Sequence, residues 1–158
     1  MSATHSFHAE RLQRDQYAQW LSTFANWSHA VTVTSQPSLM GFDRSQTSTI
    51  SATTHFVHVL NRMVLGRTRV KQGHKIACVA VYGNGTYGDN PHVHLAFQAP
   101  PHMSYEAMEQ AISRSIKSTH GLGIQEDIQP YIDEGWIKYM LDHGTEGLLA
   151  ELTTPAKH

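Results

Sequence analysis

Pro91-His92-Val93-His94-Leu95-Ala96-Phe97-Gln98 opens in polar–apolar alternation and contains no glycine, so it reads as a strand over His92 to Gln98. Alternation places His92 and His94 on one face and Val93 and Leu95 on the other. Two imidazoles about 7 Å apart along one strand face can converge on a single divalent ion. Their plainer role is a pair of surface histidines on an edge strand. Upstream, Gly83 to Pro91 holds three glycines, two asparagines and a proline and reads as a loop. Before it, Ile76 to Tyr82 is an apolar run of strand length.

Further from this centre the pattern continues. His29 to Thr34 alternates and is β-branched, which predicts a strand with Thr32 and Thr34 on one face. Thr49 to Leu65 has helical spacing and a stop at Gly66; Ser104 offers an N-cap for a helix to about Ser118. A short strand is expected over Ile124 to Pro130 and a last helix from Asp133 to about His143. Phe7 to Trp27 reads as a packing helix. The order after that helix is β-α-β-β-α-β-α. This predicts an α+β fold of ferredoxin-like (RRM-like) plan, an antiparallel sheet with two helices on one face. The expected division is 1–28 as a helical extension, 29–146 as the main domain and 147–158 as a tail.

The bulk numbers narrow the function classes. The 158 residues fit one domain with a real core. Hydrophobic content is 40% and no apolar run is long enough to span a bilayer, so a membrane partner is not expected. Met1 to Glu10 lacks the layout of a secretion signal, making the cytoplasm the expected compartment. The single cysteine, Cys78, leaves no disulfide framework within the chain and reads as a small buried hydrophobe. A net charge of −1 speaks mildly against nucleic-acid binding. Locally, however, Arg62, Arg67, Arg69, Lys71 and Lys75 form a run of five cations without an acid. The last helix places Tyr139 and His143 four apart, on one face.

Three features, in this order, resemble the HUH endonuclease superfamily of rolling-circle initiators, relaxases and single-tyrosine transposases: Val31-Thr32-Val33-Thr34, the His92-Val93-His94 strand, and a helix bearing Tyr139. The likeness spans about Ala30 to His143, and His58 to Gly66 with the basic loop after it also looks like small Rep-type proteins. The resemblance implies that His92 and His94 hold Mn²⁺ or Mg²⁺. It implies that Tyr139 attacks a single-stranded or hairpin DNA and forms a 5′-phosphotyrosine, in rolling-circle replication or transposition. His143 is the preferred third ligand, with Asp142 and Asp89 as alternatives. Arg62, Arg67, Arg69, Lys71, Lys75, Lys138, Thr32 and Thr34 are the expected DNA contacts. No helicase motif is present, so replication would need a separate helicase; a homodimer is compatible with the likeness.

The chain departs from the family pattern in two places. Asp142 stands where Rep-type helices often carry a lysine three residues after the tyrosine, and Val81-Tyr82-Gly83-Asn84 has no acid before the loop. A catalytically degenerate DNA-binding relative is therefore the first alternative. An RRM-like RNA-binding module is the second, although its strands offer only Tyr82 and Phe97 as stacking aromatics. A histidine-triad hydrolase lacks its third histidine, since that position holds Ala96.

Overall fold

A computed structural model describes residues 3–35, 45–84, 90–142 and 146–157. The elements run α1 (Ala3–Ser22), β1 (His29–Ser35), α2 (Gln46–Leu65), α3 (Arg67–Lys71), β2 (Cys78–Gly83), β3 (His92–Phe97), α4 (Tyr105–Lys117), β4 (Leu122–Pro130) and α5 (Gly135–Met140). The four strands form one sheet in the order β2-β3-β1-β4, and every neighbouring pair is antiparallel. The chain is thus α+β with an antiparallel sheet.

The period-2 pattern decides what each face buries. On one face Val31, Val33, Cys78, Ala80, Val93, Leu95 and Phe97 pack under α2 and α4, through Phe56, Leu60, Met108 and Ile112. Fully burying a side chain such as Phe97 stabilises by about 1.5–3 kcal/mol. Burial also pushes the Cys78 thiol well above its ordinary range, which suits the inert role expected for it. The other face carries Ala77, Val79, Val81 and Ala96, covered by α1 and α5 through Ala18, Leu21, Ile137, Met140 and Leu141. Two helices lie on one face, as expected, but α1 and α5 add a layer on the other.

Local chemistry sets the helix ends. Ser45 Oγ accepts from the Ser48 amide at 3.1 Å, and Ser104 Oγ accepts from the Ala107 amide at 3.1 Å, as N-caps do. Gly66 ends α2 at φ +86°, a conformation that other residues rarely adopt. The basic stretch after it, expected as loop, contains the short helix α3. Asn61, buried on α2, accepts from the Ile76 amide at 2.9 Å and so ties that helix to the entry of β2.

Residues 147–157, expected as a tail outside the domain, run beside β2 instead. Bridges join Lys75 to Lys157, Cys78 to Thr154 and Val81 to Leu148, and Leu152 enters the core. The edge of β2 would otherwise expose unpaired backbone groups. No described helix is long and apolar enough to cross a membrane.

His29 closes the end of the sheet away from His92. It is fully buried and stacks on Tyr105 at 4.2 Å between centroids. Its Nε2 donates to the Tyr105 carbonyl at 3.0 Å, leaving Nδ1 to the Ser28 hydroxyl at 2.7 Å. Burial lowers its pKa below 6.5, with the Tyr105 bond and the Glu109 charge opposing the shift. A neutral histidine in the folded state and a titrating one in the unfolded state make folding favour high pH. The stabilisation is complete above pH 6.5 and is lost as pH falls below it through the lowered value. Melting temperatures measured from pH 7.5 to 5 should therefore fall more steeply for the wild type than for His29→Phe; equal slopes would remove His29 as the cause.

Candidate metal-binding and nucleophile site

The register of β1 against β3 assembles the site. Thr32 lies opposite His94 and Thr34 opposite His92, so all four side chains share the face covered by α1 and α5. The imidazoles stand 4.6 Å apart between centroids, at 67°. Both are half-buried, and His94 lies against the rim of the helical layer, with the Trp136 ring 5.4 Å away.

Each ring is held at Nδ1. His92 Nδ1 lies 2.8 Å from the Asn90 carbonyl, which can only accept, so Nδ1 carries the proton and Nε2 the lone pair of a neutral ring. His94 Nδ1 lies 2.8 Å from Thr32 Oγ1. Fixing Nδ1 with an oxygen partner while Nε2 faces the ligand is how metal-binding histidines are oriented. Thr32 thus has a role beyond the phosphate contact expected for it.

Gly83 was not anticipated as part of the site. It pairs with His92 across the β2–β3 ladder, and a Cβ there would lie 2.7 Å from His92 Nε2. Only glycine leaves that donor atom uncovered. The loop between the two strands is too long to fix their register from turn type, so the sequence gives no cue to this pairing.

Helix α5 brings up the tyrosine. Ile137, Met140 and Leu141 face inward, and Trp136 Nε1 donates to the Leu95 carbonyl at 3.0 Å, which anchors the helix to β3. Tyr139 then falls on the outer side, 57% exposed, with its ring 5.1 Å from His94 and 5.6 Å from Trp136. It is a reachable phenol beside the histidine pair, not a core aromatic.

The remaining site candidates divide. Asp142 lies just beyond α5 and accepts from Arg14 at 2.9 Å, an ion pair that draws it toward α1. His143 and Asp89 lie outside the described residues. Among the described residues no third histidine, cysteine or carboxylate joins His92 and His94 to make a three-ligand group. What the described residues bring together is two imidazoles, each oriented through its Nδ1. Lys138, expected to meet DNA, pairs with Glu134 at 3.2 Å. Arg62, Arg67, Arg69, Lys71 and Lys75 do not come to the site. They cluster where α2 gives way to β2, and the register puts Cys78 beside Phe97 but Gly83 beside His92. Lys75 is thus on the order of 25 Å from the histidine end, at strand spacing.

Next to Tyr139 lies an open groove of about 400 Å³, lined among others by Trp136, Gln129, Ile132 and Asp133. Nothing in the sequence periodicity marks it, because its walls come from β4, α5 and the turn between them.

Comparison with protein-family models, with curated proteins and with solved structures returns no match.

Replacing Gly83 by alanine should push the His92 ring aside while leaving the core intact. Mn²⁺ affinity, read by calorimetry, should fall by about 10–100-fold, the usual cost of disturbing a ligand's orientation. Unchanged affinity in Gly83→Ala would show that His92 Nε2 is not a metal donor.

Proposed function

We propose that this protein is a metal-dependent, single-tyrosine nuclease of the HUH type that nicks and rejoins single-stranded or hairpin DNA. The observation that carries the reading is the meeting of three separate sequence features on one sheet face. Thr32 orients His94, His94 sits beside His92, and the Tyr139 ring lies 5.1 Å from His94. The strand order β4-β1-β3-β2 supports a ferredoxin-like plan as the scaffold, with α1 and α5 added on the second face.

His92 and His94 would hold Mn²⁺ or Mg²⁺, which when bound supplies Lewis-acid polarisation of a phosphate oxygen. The chain's own residues supply the rest. The Asn90 carbonyl and Thr32 hydroxyl keep both imidazoles in place. Trp136, locked to the Leu95 carbonyl, sets the height of α5 above the sheet. Tyr139 Oη attacks the phosphorus; a P–O bond to tyrosine forms as the bond to the 3′ oxygen breaks. The phenolic proton ends on that leaving 3′ oxygen, giving a free 3′ hydroxyl and a 5′-phosphotyrosine. Attack by a 3′ hydroxyl runs the same step backwards and rejoins the strand.

The alternative of a non-cutting DNA-binding relative is favoured by one observation. The position that often carries a lysine after the tyrosine is Asp142, bound to Arg14, and so supplies no cation to the nucleophile. An RRM-like surface has no support, because Phe97 is fully buried and Tyr82 packs against the core beneath the helices.

Incubation with labelled single-stranded and hairpin DNA plus Mn²⁺ should give a denaturation-resistant protein–DNA band. Chelator or Tyr139→Phe should abolish the band, while DNA binding by the variant stays within about twofold. A band that persists in Tyr139→Phe assigns the nucleophile elsewhere; binding without any band selects the non-cutting alternative.

A further inference from the structure

The groove beside Tyr139 has a chemistry of its own. Its floor is aromatic and apolar: Trp136 is fixed by its Nε1 bond to Leu95, Tyr139 is exposed, and Ile132 is 88% exposed. At about 400 Å³ it lies within the range of small-molecule sites, about 300–1,000 Å³.

Its polar rim carries the Asp133 carboxylate and the Gln129 amide. Gln129 Nε2 donates to both oxygens of Asp127 at 3.0 Å, which fixes the amide with Oε1 as an acceptor and its second N–H as a donor. Asp133 accepts from the Gly135 amide through Oδ1 at 2.8 Å, and a carboxylate retains further acceptor capacity. A Cβ on Gly135 would lie 2.7 Å from that Asp133 oxygen and displace it. Among the described residues no lysine, arginine or histidine lines the groove. Burial, with help from Asp133 and Glu134, pushes the neighbouring Tyr131 phenol up to about 12.

Such a rim repels a phosphate and pairs with hydrogen-bond donors. A planar ring that stacks on an exposed aromatic and offers an amino group fits both halves. We infer that this groove is a base-binding subsite for an unpaired nucleobase bearing an exocyclic amino group (guanine, cytosine or adenine) and discriminates against thymine. This rests on the nuclease reading for its biological setting: a base seated here belongs to a nucleotide whose phosphate reaches the Tyr139 hydroxyl. The subsite would place one defined base next to the cleaved bond, so sequence choice resides in Asp133 and Gln129, apart from the metal-binding pair.

The test uses the full chain without metal and with uncharged probes, so neither nicking nor phosphate binding contributes. Deoxyguanosine, deoxycytidine, deoxyadenosine and thymidine are titrated separately while the Trp136 indole N–H is followed by NMR, its signal assigned by its loss in Trp136→Phe. At least one of the three amino-bearing nucleosides should bind about tenfold tighter than thymidine, the scale of one well-placed base contact. Asp133→Asn preserves the bond to Gly135 but can also donate, so the preference should shrink to less than about threefold. Equal affinities in the wild type, or no shift with any nucleoside at its solubility limit, would overturn the subsite. Displacement by arginine amide without any response to nucleosides would assign the groove to a cationic peptide and overturn it equally. The metal-dependent adduct assay decides the nuclease reading separately, because it depends on the Tyr139 hydroxyl and not on base preference.

Discussion

The antiparallel register of β1 against β3 is the constraint from which the rest follows. Val31 faces Leu95 and Val33 faces Val93 beneath α2 and α4, so Thr32 must face His94 and Thr34 must face His92 on the opposite side. A slip of one residue would send both imidazoles into the core and the valines toward solvent. Burying imidazoles among Phe56, Leu60 and Met108 without partners would cost several kcal/mol. The hydrophobic side of the sheet thus enforces the polar side. The histidine pair is positioned by packing that it never touches.

This dependence explains which parts could be read from the chain. Strand alternation at Val31 to Thr34 and at His92 to Leu95 is short-range and survives folding unchanged, so the strands and the shared face of the histidines were legible. So were the Ser104 cap and the Gly66 stop, because each acts within one turn. What escaped depends on pairings between distant segments. Gly83 matters only because it lies across from His92. The segment from 147 matters only because β2 has an open edge beside it. The basic stretch looked like a nucleic-acid contact from its composition, but composition carries no information about which end of the sheet it occupies. The last helix was expected through His143, yet α5 closes at Met140, and Asp142 turns to Arg14 across from α1.

The second helical layer is what distinguishes a site from a polar strand face. Had α1 and α5 covered the whole face, His92 and His94 would be buried; had neither been present, Tyr139 would have no fixed place. Leu21, Ile137 and Leu141 cover only the half of the sheet that carries Ala77, Val79, Val81 and Ala96. These residues are small or short, which lets α5 approach closely enough for Trp136 to reach the Leu95 carbonyl. The transition from alanine and valine to histidine and threonine along the strands marks the boundary of the layer. Tyr139 stands at that boundary, with one side against His94 and the other toward the groove.

Charge separates the tasks within this small space. The described cations nearest Tyr139 are engaged: Arg14 with Asp15 and Asp142, Lys138 with Glu134. Exposed pairs of this kind contribute only about 0–1 kcal/mol to stability, so their consequence here is electrostatic and not structural. They cancel positive potential where a phosphate would have to sit. On the proposed reading, attraction for the scissile phosphate therefore falls to the ion held by His92 and His94, and DNA would be drawn to Tyr139 only when that ion is bound. The cations of α3 and its flanks lie at the other end of the sheet and on that reading would meet a more distant part of the strand. On that reading, a surface so divided would hold the backbone remotely, the phosphate through the metal and the base through the Asp133 rim, and would couple engagement of the nucleophile to occupancy of the metal site without any moving part.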